Sequence, residues 1–275
     1  MRETPYLLDT LADLPPDLQA AASRVLPPED VPQVIVWIPA HTQTLQKRRR
    51  VPPQALLFTT AGVLSVQTGA DPIYLRNADV LLVEHHLILL YGCLQFVGWA
   101  QGELRRILVE YNTVGEPLLH TALQRVVRQA YGGMDSAPPA RDAATLALLE
   151  QLGAQSFKFR NGLQIYALLP EERVVDYVWQ PRITRRIAGI FRQGVAPAAL
   201  LALTDRALIL IREEKASGAA YGWLIAFCPR QQLVGMSTRP QQIWHHVDIQ
   251  LTAGLTQSVI LEEAQAARWE ALWSV

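Results

Sequence analysis

The 275-residue sequence has little cysteine and no excess of either charge. Cys93 and Cys228 each lie inside an apolar run and form no C-x-x-C pair, which is typical of buried, reduced thiols rather than of a disulfide framework. The 25 basic residues are balanced by 25 acidic ones. Because a dedicated nucleic-acid-binding protein is normally basic, we do not expect nucleic acid as a partner.

Long uninterrupted apolar segments are also missing. The first residues carry Asp9, Asp13 and Asp17 and lack the basic-then-apolar pattern of a signal peptide. The longest apolar stretch, residues 80–100, contains Glu84, which a membrane span of about 20 residues would tolerate poorly. We therefore expect a cytoplasmic protein, with attachment to the inner face of the membrane as the alternative.

Motifs of catalysis are absent as well. The sequence has no phosphate-binding glycine loop, no G-x-S-x-G elbow and no H-E-x-x-H pair. Two histidine pairs occur, His85-His86 and His245-His246, but neighbours on a strand point to opposite faces and do not converge on one ion. We expect no catalytic residues, no cofactor and no metal, so an enzyme with an unrecognised site is only the third alternative.

What the sequence does contain is an internal repeat. Residues 26–66 and 169–210 share, in one order, a Leu-Pro pair, a Val-Trp-x-Pro segment and an Ala-Leu-Leu-x-x-Thr segment. Trp37 aligns with Trp179, and after a short slip Thr60 aligns with Thr204. Shared order and spacing indicate a duplication, whereas two unrelated β segments of similar composition are the alternative.

Both copies have the same predicted element order: a helix, several antiparallel strands and a closing helix. The predicted helices are Pro16–Val25 and 119–130 in the first copy, and Asp142–Leu152 and Glu262–Trp273 in the second. Predicted strands, rich in β-branched and aromatic residues, are Val34–Ile38, Ala55–Phe58, Val63–Val66, Val80–Val83, Leu87–Tyr91, Leu94–Trp99 and Ile107–Tyr111, then Val174–Trp179, Ala199–Leu203, Ala207–Ile211, Trp223–Cys228, Gln232–Met236, Ile243–Leu251 and Ser258–Leu261.

The domain boundaries follow from this order. We expect an N-terminal module at residues 1–131, a linker at 132–141 with the composition of a loop, and a C-terminal module at 142–275. The fold class is therefore β-rich α+β.

A family resemblance rests on a Leu-Pro-x-Glu start, a Trp/Pro strand end and the hairpin Leu201-Ala-Leu-Thr-Asp-Arg-Ala-Leu-Ile-Leu210. These segments resemble bacterial pleckstrin-homology-like (PH-like) domains, more closely in the second copy than in the first. The resemblance implies two PH-like modules, each a bent antiparallel sheet or partly open barrel closed by a C-terminal helix.

Basic residues cluster in the connection between the first two strands of each copy. Neither residues 31–70 nor residues 177–204 contain an acidic residue. Arginine suits phosphate geometry, and eukaryotic relatives of the resembled fold commonly hold phosphoinositide headgroups there. A solvated turn is the alternative. The candidate contacts for an anion or a membrane are Lys47, Arg48, Arg49, Arg50, Arg182, Arg185, Arg186 and Arg192.

These observations favour a non-catalytic binding or scaffolding protein that uses sheet edges and helix grooves to contact an unknown protein or peptide. The alternative is peripheral binding to an anionic lipid surface through the basic connections. Trp244, Trp269 and Trp273 either pack internally or form the interface of a homo-oligomer.

Overall fold

Short apolar segments form antiparallel strands that make up about half of the described residues, and the β-rich α+β prediction is confirmed. The computed structural model describes residues 4–43, 49–131, 141–187, 191–215 and 221–273. The chain forms two compact units. One consists of Met1–Asp135 with Lys215–Gly222, and the other of Ser136–Glu214 with Trp223–Val275. None of the described helices combines the length and the apolar character needed to cross a membrane.

The N-terminal unit contains a sheet of strand order β1-β2-β5-β6-β7, a β3–β4 hairpin and a β8-β9-β10 meander. An apolar cluster under the first sheet includes Leu18 of α1 and Leu57 of β5. The elements are β1 (Tyr6–Leu8), α1 (Pro16–Val25), β2 (Val34–Ile38), β3 (His41–Gln43), β4 (Arg49–Val51), β5 (Gln54–Phe58), β6 (Gly62–Gln67), β7 (Ile73–Arg76), β8 (Val80–Ile88), β9 (Tyr91–Ala100), β10 (Glu103–Asn112) and α2 (Glu116–Ala130).

The C-terminal unit has strands ordered β11-β14-β15-β16, a β12–β13 hairpin and a β17-β18-β19 meander. The elements are α3 (Ala143–Gln155), α4 (Phe157–Asn161) continued by a π-helical turn (Gly162–Ala167), β11 (Val174–Gln180), β12 (Ile183–Ile187), β13 (Phe191–Ala196), β14 (Ala199–Thr204), β15 (Ala207–Lys215), β16 (Tyr221–Pro229), β17 (Leu233–Gln241), β18 (Trp244–Leu251), β19 (Thr256–Glu262) and α5 (Glu263–Trp273).

Strand order is the same in both units. The order β2-β5-β6-β7 corresponds to β11-β14-β15-β16, the two meanders correspond, and α2 corresponds to α5. In each unit, the long hairpin that begins with β2 or β11 is interrupted at prolines, because proline has no amide proton to donate to the neighbouring strand. Beyond the prolines the chain pairs again, as β3–β4 and as β12–β13, in the connections that carry the basic residues.

One strand assignment in the first copy was wrong. The predicted strand Val80–Val83 is the start of a longer strand, β8, whereas the predicted strand Leu87–Tyr91 covers the end of β8, the turn at Leu89-Leu90 and the first residue of β9. The short strand β7 after Asp71-Pro72 was not predicted. The strand at Trp223–Cys228 therefore corresponds by order to β7, and not to the start of β8.

The predicted alignment of the repeat is also shifted by one residue at the hairpin. Trp37 pairs with Ala55, whereas Trp179 pairs with Leu200. Continuing along both hairpins, Thr59 occupies the position of Thr204, while Thr60 is exposed at the turn. A one-residue difference matters in a strand because it exchanges the two faces.

Tryptophan packing answers one question left open by the sequence. Trp269 of α5 is fully buried, and Trp244 of β18 packs against Ile183 and Ala196. Both side chains therefore lie within the core of the C-terminal unit.

Candidate functional site

The candidate anion-binding residues lie on the two matching hairpins. Arg49 and Arg50 are on β4, Arg182 immediately precedes β12, Arg185 and Arg186 are on β12, and Arg192 is on β13. Lys47 and Arg48 lie outside the described residues, as do the side chains of Arg186 and Arg192.

Two of these arginines have acidic partners from distant strands. Arg49 forms an ion pair with Glu110 of β10, a buried carboxylate that also accepts a hydrogen bond from Tyr91 at 2.8 Å. Arg49 of the β3–β4 hairpin is therefore held against the β8-β9-β10 meander. Counting charges within residues 31–70 could not reveal this partner, because it lies on another strand, 61 residues further along the chain.

Arg182 is held in the same way in the other hairpin. Its guanidinium lies 2.7 Å from Glu213, which also binds Lys158 at 2.5 Å. Burial acts to raise the pKa of Glu213, but the hydrogen bonds and charges of Lys158 and Arg182 outweigh it and lower that pKa. Arg50 and Arg185 differ, since both are exposed and neither has an ion-pair partner in the described part of the chain.

A cleft beside the β12–β13 hairpin has a volume of about 260 Å³, and we call it the hairpin cleft. Arg185 and His246 lie at its wall, and Trp244 and Ile260 supply apolar surface. Arg185 donates through Nε to Gln193 at 2.8 Å, which orients its guanidinium.

A second cleft lies beside the closing helix of the C-terminal unit, and we call it the helix cleft. Its volume is about 390 Å³, within the range of roughly 300–1,000 Å³ usual for ligand sites. The lining residues come from the end of α3, the end of β11 and one face of α5; they are Gln155, Val178, Trp179, Pro181, Ala264, Gln265 and Arg268.

Local sequence places these side chains. Pro181 ends β11 because it has no amide proton for the ladder, and the chain leaves the sheet there. On α5, Ala264 and Arg268 are four residues apart and share a face, while Ala266 and Trp269 turn inward. The small side chain of Ala264 leaves the space that forms the cleft.

Two residues that line the helix cleft each carry a polar atom without a partner. Trp179 Nε1, a donor, and Gln265 Oε1, an acceptor, are both buried, and neither has a hydrogen-bond partner among the described residues. A buried unsatisfied group costs about 1–3 kcal/mol. A ligand that offers both an acceptor and a donor would recover this cost, and a peptide group offers one of each.

The charge of the helix cleft is already compensated. Arg268 lies 2.8 Å from Asp176, and its guanidinium is 5.6 Å from the ring centre of Tyr177. The remaining walls, at Val178, Pro181 and Ala264, are apolar. The cleft is therefore suited to a neutral, partly apolar ligand.

A buried histidine cluster lies in the N-terminal unit. His85 of β8 is within 2.7 Å of the Tyr111 hydroxyl, and that hydroxyl donates to Glu116 at 2.6 Å. His120 of α2 lies four residues after Glu116 on the same helix. His86 is not a member, as expected for neighbours on a strand, whereas Glu116 and His120 were not identified from the sequence.

The helix cleft and the histidine cluster thus combine residues that sequence reasoning did not bring together. The sequence offered one indication of the pair Glu116 and His120, because residues four apart on a helix lie on the same face. Comparison with models of known protein families gives no match, and comparison with curated proteins gives none either.

Proposed function

We propose that the protein is a non-catalytic binding protein of two PH-like modules, and that the helix cleft captures a short extended segment of a partner protein. The observation that carries the proposal is that two lining residues of one cleft hold an unpartnered donor, Trp179 Nε1, and an unpartnered acceptor, Gln265 Oε1. A peptide group of the partner accepts from the first and donates to the second.

The residues that line the helix cleft determine which peptide side chains it can accept. Val178, Pro181 and Ala264 favour an aliphatic or aromatic side chain, and the Arg268–Asp176 pair leaves little net charge at the rim. Binding should therefore depend weakly on salt, since screening acts mainly on exposed charges.

The repeated strand order supports the module assignment. Both units contain a shared order of four strands, β2-β5-β6-β7 and β11-β14-β15-β16, followed by a three-stranded meander and a closing helix. This agrees with the antiparallel sheet closed by a C-terminal helix that the PH-like resemblance implies. The fold alone does not select a ligand, so the functional part of the proposal depends on the cleft.

A selection experiment tests the proposal. Peptides are selected from a displayed random library on the full chain, synthesised, and titrated against wild type and two variants. Ala264→Trp fills the cleft, whereas Ala267→Trp places the same bulk at an exposed position of α5 outside it. Thermal melting shows that both variants are folded.

We expect Ala264→Trp to weaken binding at least about tenfold, or about 1.4 kcal/mol, and Ala267→Trp to leave it unchanged. Moderate salt should have little effect. If no peptide is enriched over the bare support, or if both variants bind equally well, the helix cleft is not the binding site.

A second candidate function is contact with an anionic membrane through the hairpins. It is favoured by the exposure of Arg50 and Arg185, one on each of the two matching hairpins. Each basic residue near such a surface contributes about 1 kcal/mol. Sedimentation with anionic vesicles should be lost in moderate salt and in the double variant Arg50→Ser/Arg185→Ser, but not in Arg230→Ser. Equal sedimentation of all three proteins would exclude this candidate.

A further inference from the structure

His85, Glu116 and His120 bring two imidazoles and a carboxylate together between β8 and the first turns of α2. One ligand atom from each residue lies within 4.8 Å of the others. His85 is fully buried, and the side chains of Glu116 and His120 are 14% and 19% exposed. Two imidazole nitrogens and one carboxylate oxygen form a donor set suited to zinc and similar divalent ions.

The spacing of the donor atoms fits one ion. His85 Nε2 lies 3.2 Å from Glu116 Oε2, and His120 Nδ1 lies 3.6 Å from Glu116 Oε1. Ligand atoms bound to zinc at about 2.0–2.2 Å in a tetrahedron are about 3.4 Å apart. Each imidazole nitrogen is thus near ligand-to-ligand distance from one oxygen of the Glu116 carboxylate.

The Glu116 carboxylate is oriented by a hydrogen bond to one of its oxygens, while the other oxygen accepts none from a described residue. The Tyr111 hydroxyl donates to Oε2 of Glu116, which fixes the carboxylate plane. The other oxygen, Oε1, is buried and accepts no hydrogen bond from any described residue. A cation between Oε1 and the imidazoles would satisfy it. On binding, His85 Nε2 would lose its proton and its hydrogen bond to the Tyr111 hydroxyl, which would remain the outer partner that orients the carboxylate.

Gln124 completes the surroundings of His120. Its amide lies 3.0 Å from His120 Nε2, on the side of the ring away from Glu116. In this arrangement the amide nitrogen of Gln124 donates to Nε2. A half-turn of the amide on ion binding would bring its oxygen to the ring, so that Nε2–H donates to that oxygen and Nδ1 coordinates the ion. A partner on the outer nitrogen is the usual arrangement for metal-bound histidine.

We propose that His85, Glu116 and His120 bind one divalent cation of the zinc class, which joins α2 to β8. This site is independent of the helix cleft, which belongs to the other unit. Because the ion would bind the folded chain and not the unfolded one, it should raise thermal stability.

The test uses the full chain after removal of metal with a chelator. Zinc is titrated by calorimetry, melting is followed with and without zinc, and cobalt is used as a spectroscopic probe of coordination. The variants are His120→Ala, which removes a partly exposed ligand, and Glu116→Gln. His86→Ala, the strand neighbour of His85 outside the cluster, is the control.

We expect one zinc per chain, a higher melting temperature with zinc, and the intense visible absorption of tetrahedral cobalt. His120→Ala and Glu116→Gln should each weaken zinc binding by at least about tenfold, while His86→Ala should bind as wild type does. The absence of zinc binding by wild type, or equal binding by His120→Ala and wild type in folded proteins, would overturn the proposal and leave a hydrogen-bonded cluster.

Discussion

A threonine and a buried acid hold the central hairpin of each unit. Thr59 Oγ1 accepts from the amide of Gly62 at 2.8 Å and donates to Asp30 at 2.7 Å. In the other unit, Thr204 accepts from the amide of Ala207 at 2.8 Å and donates to Glu172. The duplicated sequence therefore keeps a function of the hydroxyl that apolar pattern matching cannot locate.

The corrected alignment gives a direct prediction. Thr59→Val should lower the free energy of unfolding by about 1–3 kcal/mol, because it leaves a buried carboxylate and a turn amide without their partner. Thr60→Val, at the exposed neighbouring position, should change it by less than about 0.5 kcal/mol. Urea denaturation of both variants measures the difference. Equal losses would contradict the placement of Thr59.

Glu172 should make stability depend on pH. Burial raises the pKa of its carboxyl from 4.5 to about 7, against the lowering effect of hydrogen bonds from Thr204 and Leu169. The folded state therefore holds the proton more tightly, and its stabilising contribution is complete below pH 4.5 and lost as the pH rises through 7. The difference corresponds to about 3 kcal/mol.

Glu172→Gln should remove this part of the pH dependence, whereas Glu171→Gln should retain it. Denaturation at pH 5 and pH 8 gives the comparison for each protein. The same loss of stability between these two pH values in wild type and Glu172→Gln would show that Glu172 is ionised in the folded state throughout.

At the scale of elements, periodicity predicted strands well where apolar residues are continuous. The bounds of β2 agree with the prediction, and α1 begins and ends as expected. The failures have physical causes: β7 is short and follows a proline, and β8 continues through a polar segment because Glu84 is hydrogen-bonded by Gln95 across the ladder. The first cause is local to β7, whereas the second is a contact with another strand.

The β8–β9 turn gives a prediction at this scale. Leu89 has φ of 50° and is 70% exposed, a backbone conformation that costs a residue with a side chain about 1 kcal/mol. Leu89→Gly should therefore raise the melting temperature, whereas Leu90→Gly should not, because Leu90 has no positive φ. A lower melting temperature for Leu89→Gly would contradict the turn geometry.

At the scale of the whole molecule, two units with the same strand order carry two unlike candidate sites. The sequence indicated the repeat and the closing helices, yet it did not reveal the helix cleft, since Trp179 and Gln265 are 86 residues apart. The histidine cluster was missed because His85 joins Glu116 and His120 only through sheet-to-helix packing. Sites of this kind depend on tertiary contacts that no local pattern contains.

Peptide capture by the helix cleft is the central claim, and the indole N–H resonance of Trp179 tests it most directly. The resonance is assigned with Trp179→Phe and followed by NMR as a selected peptide is added to isotope-labelled protein. Hydrogen bonding to the peptide should move the Trp179 signal downfield at saturation, while the signal of Trp37, in the other unit, stays in place. Saturated binding without a change at Trp179 would contradict the account.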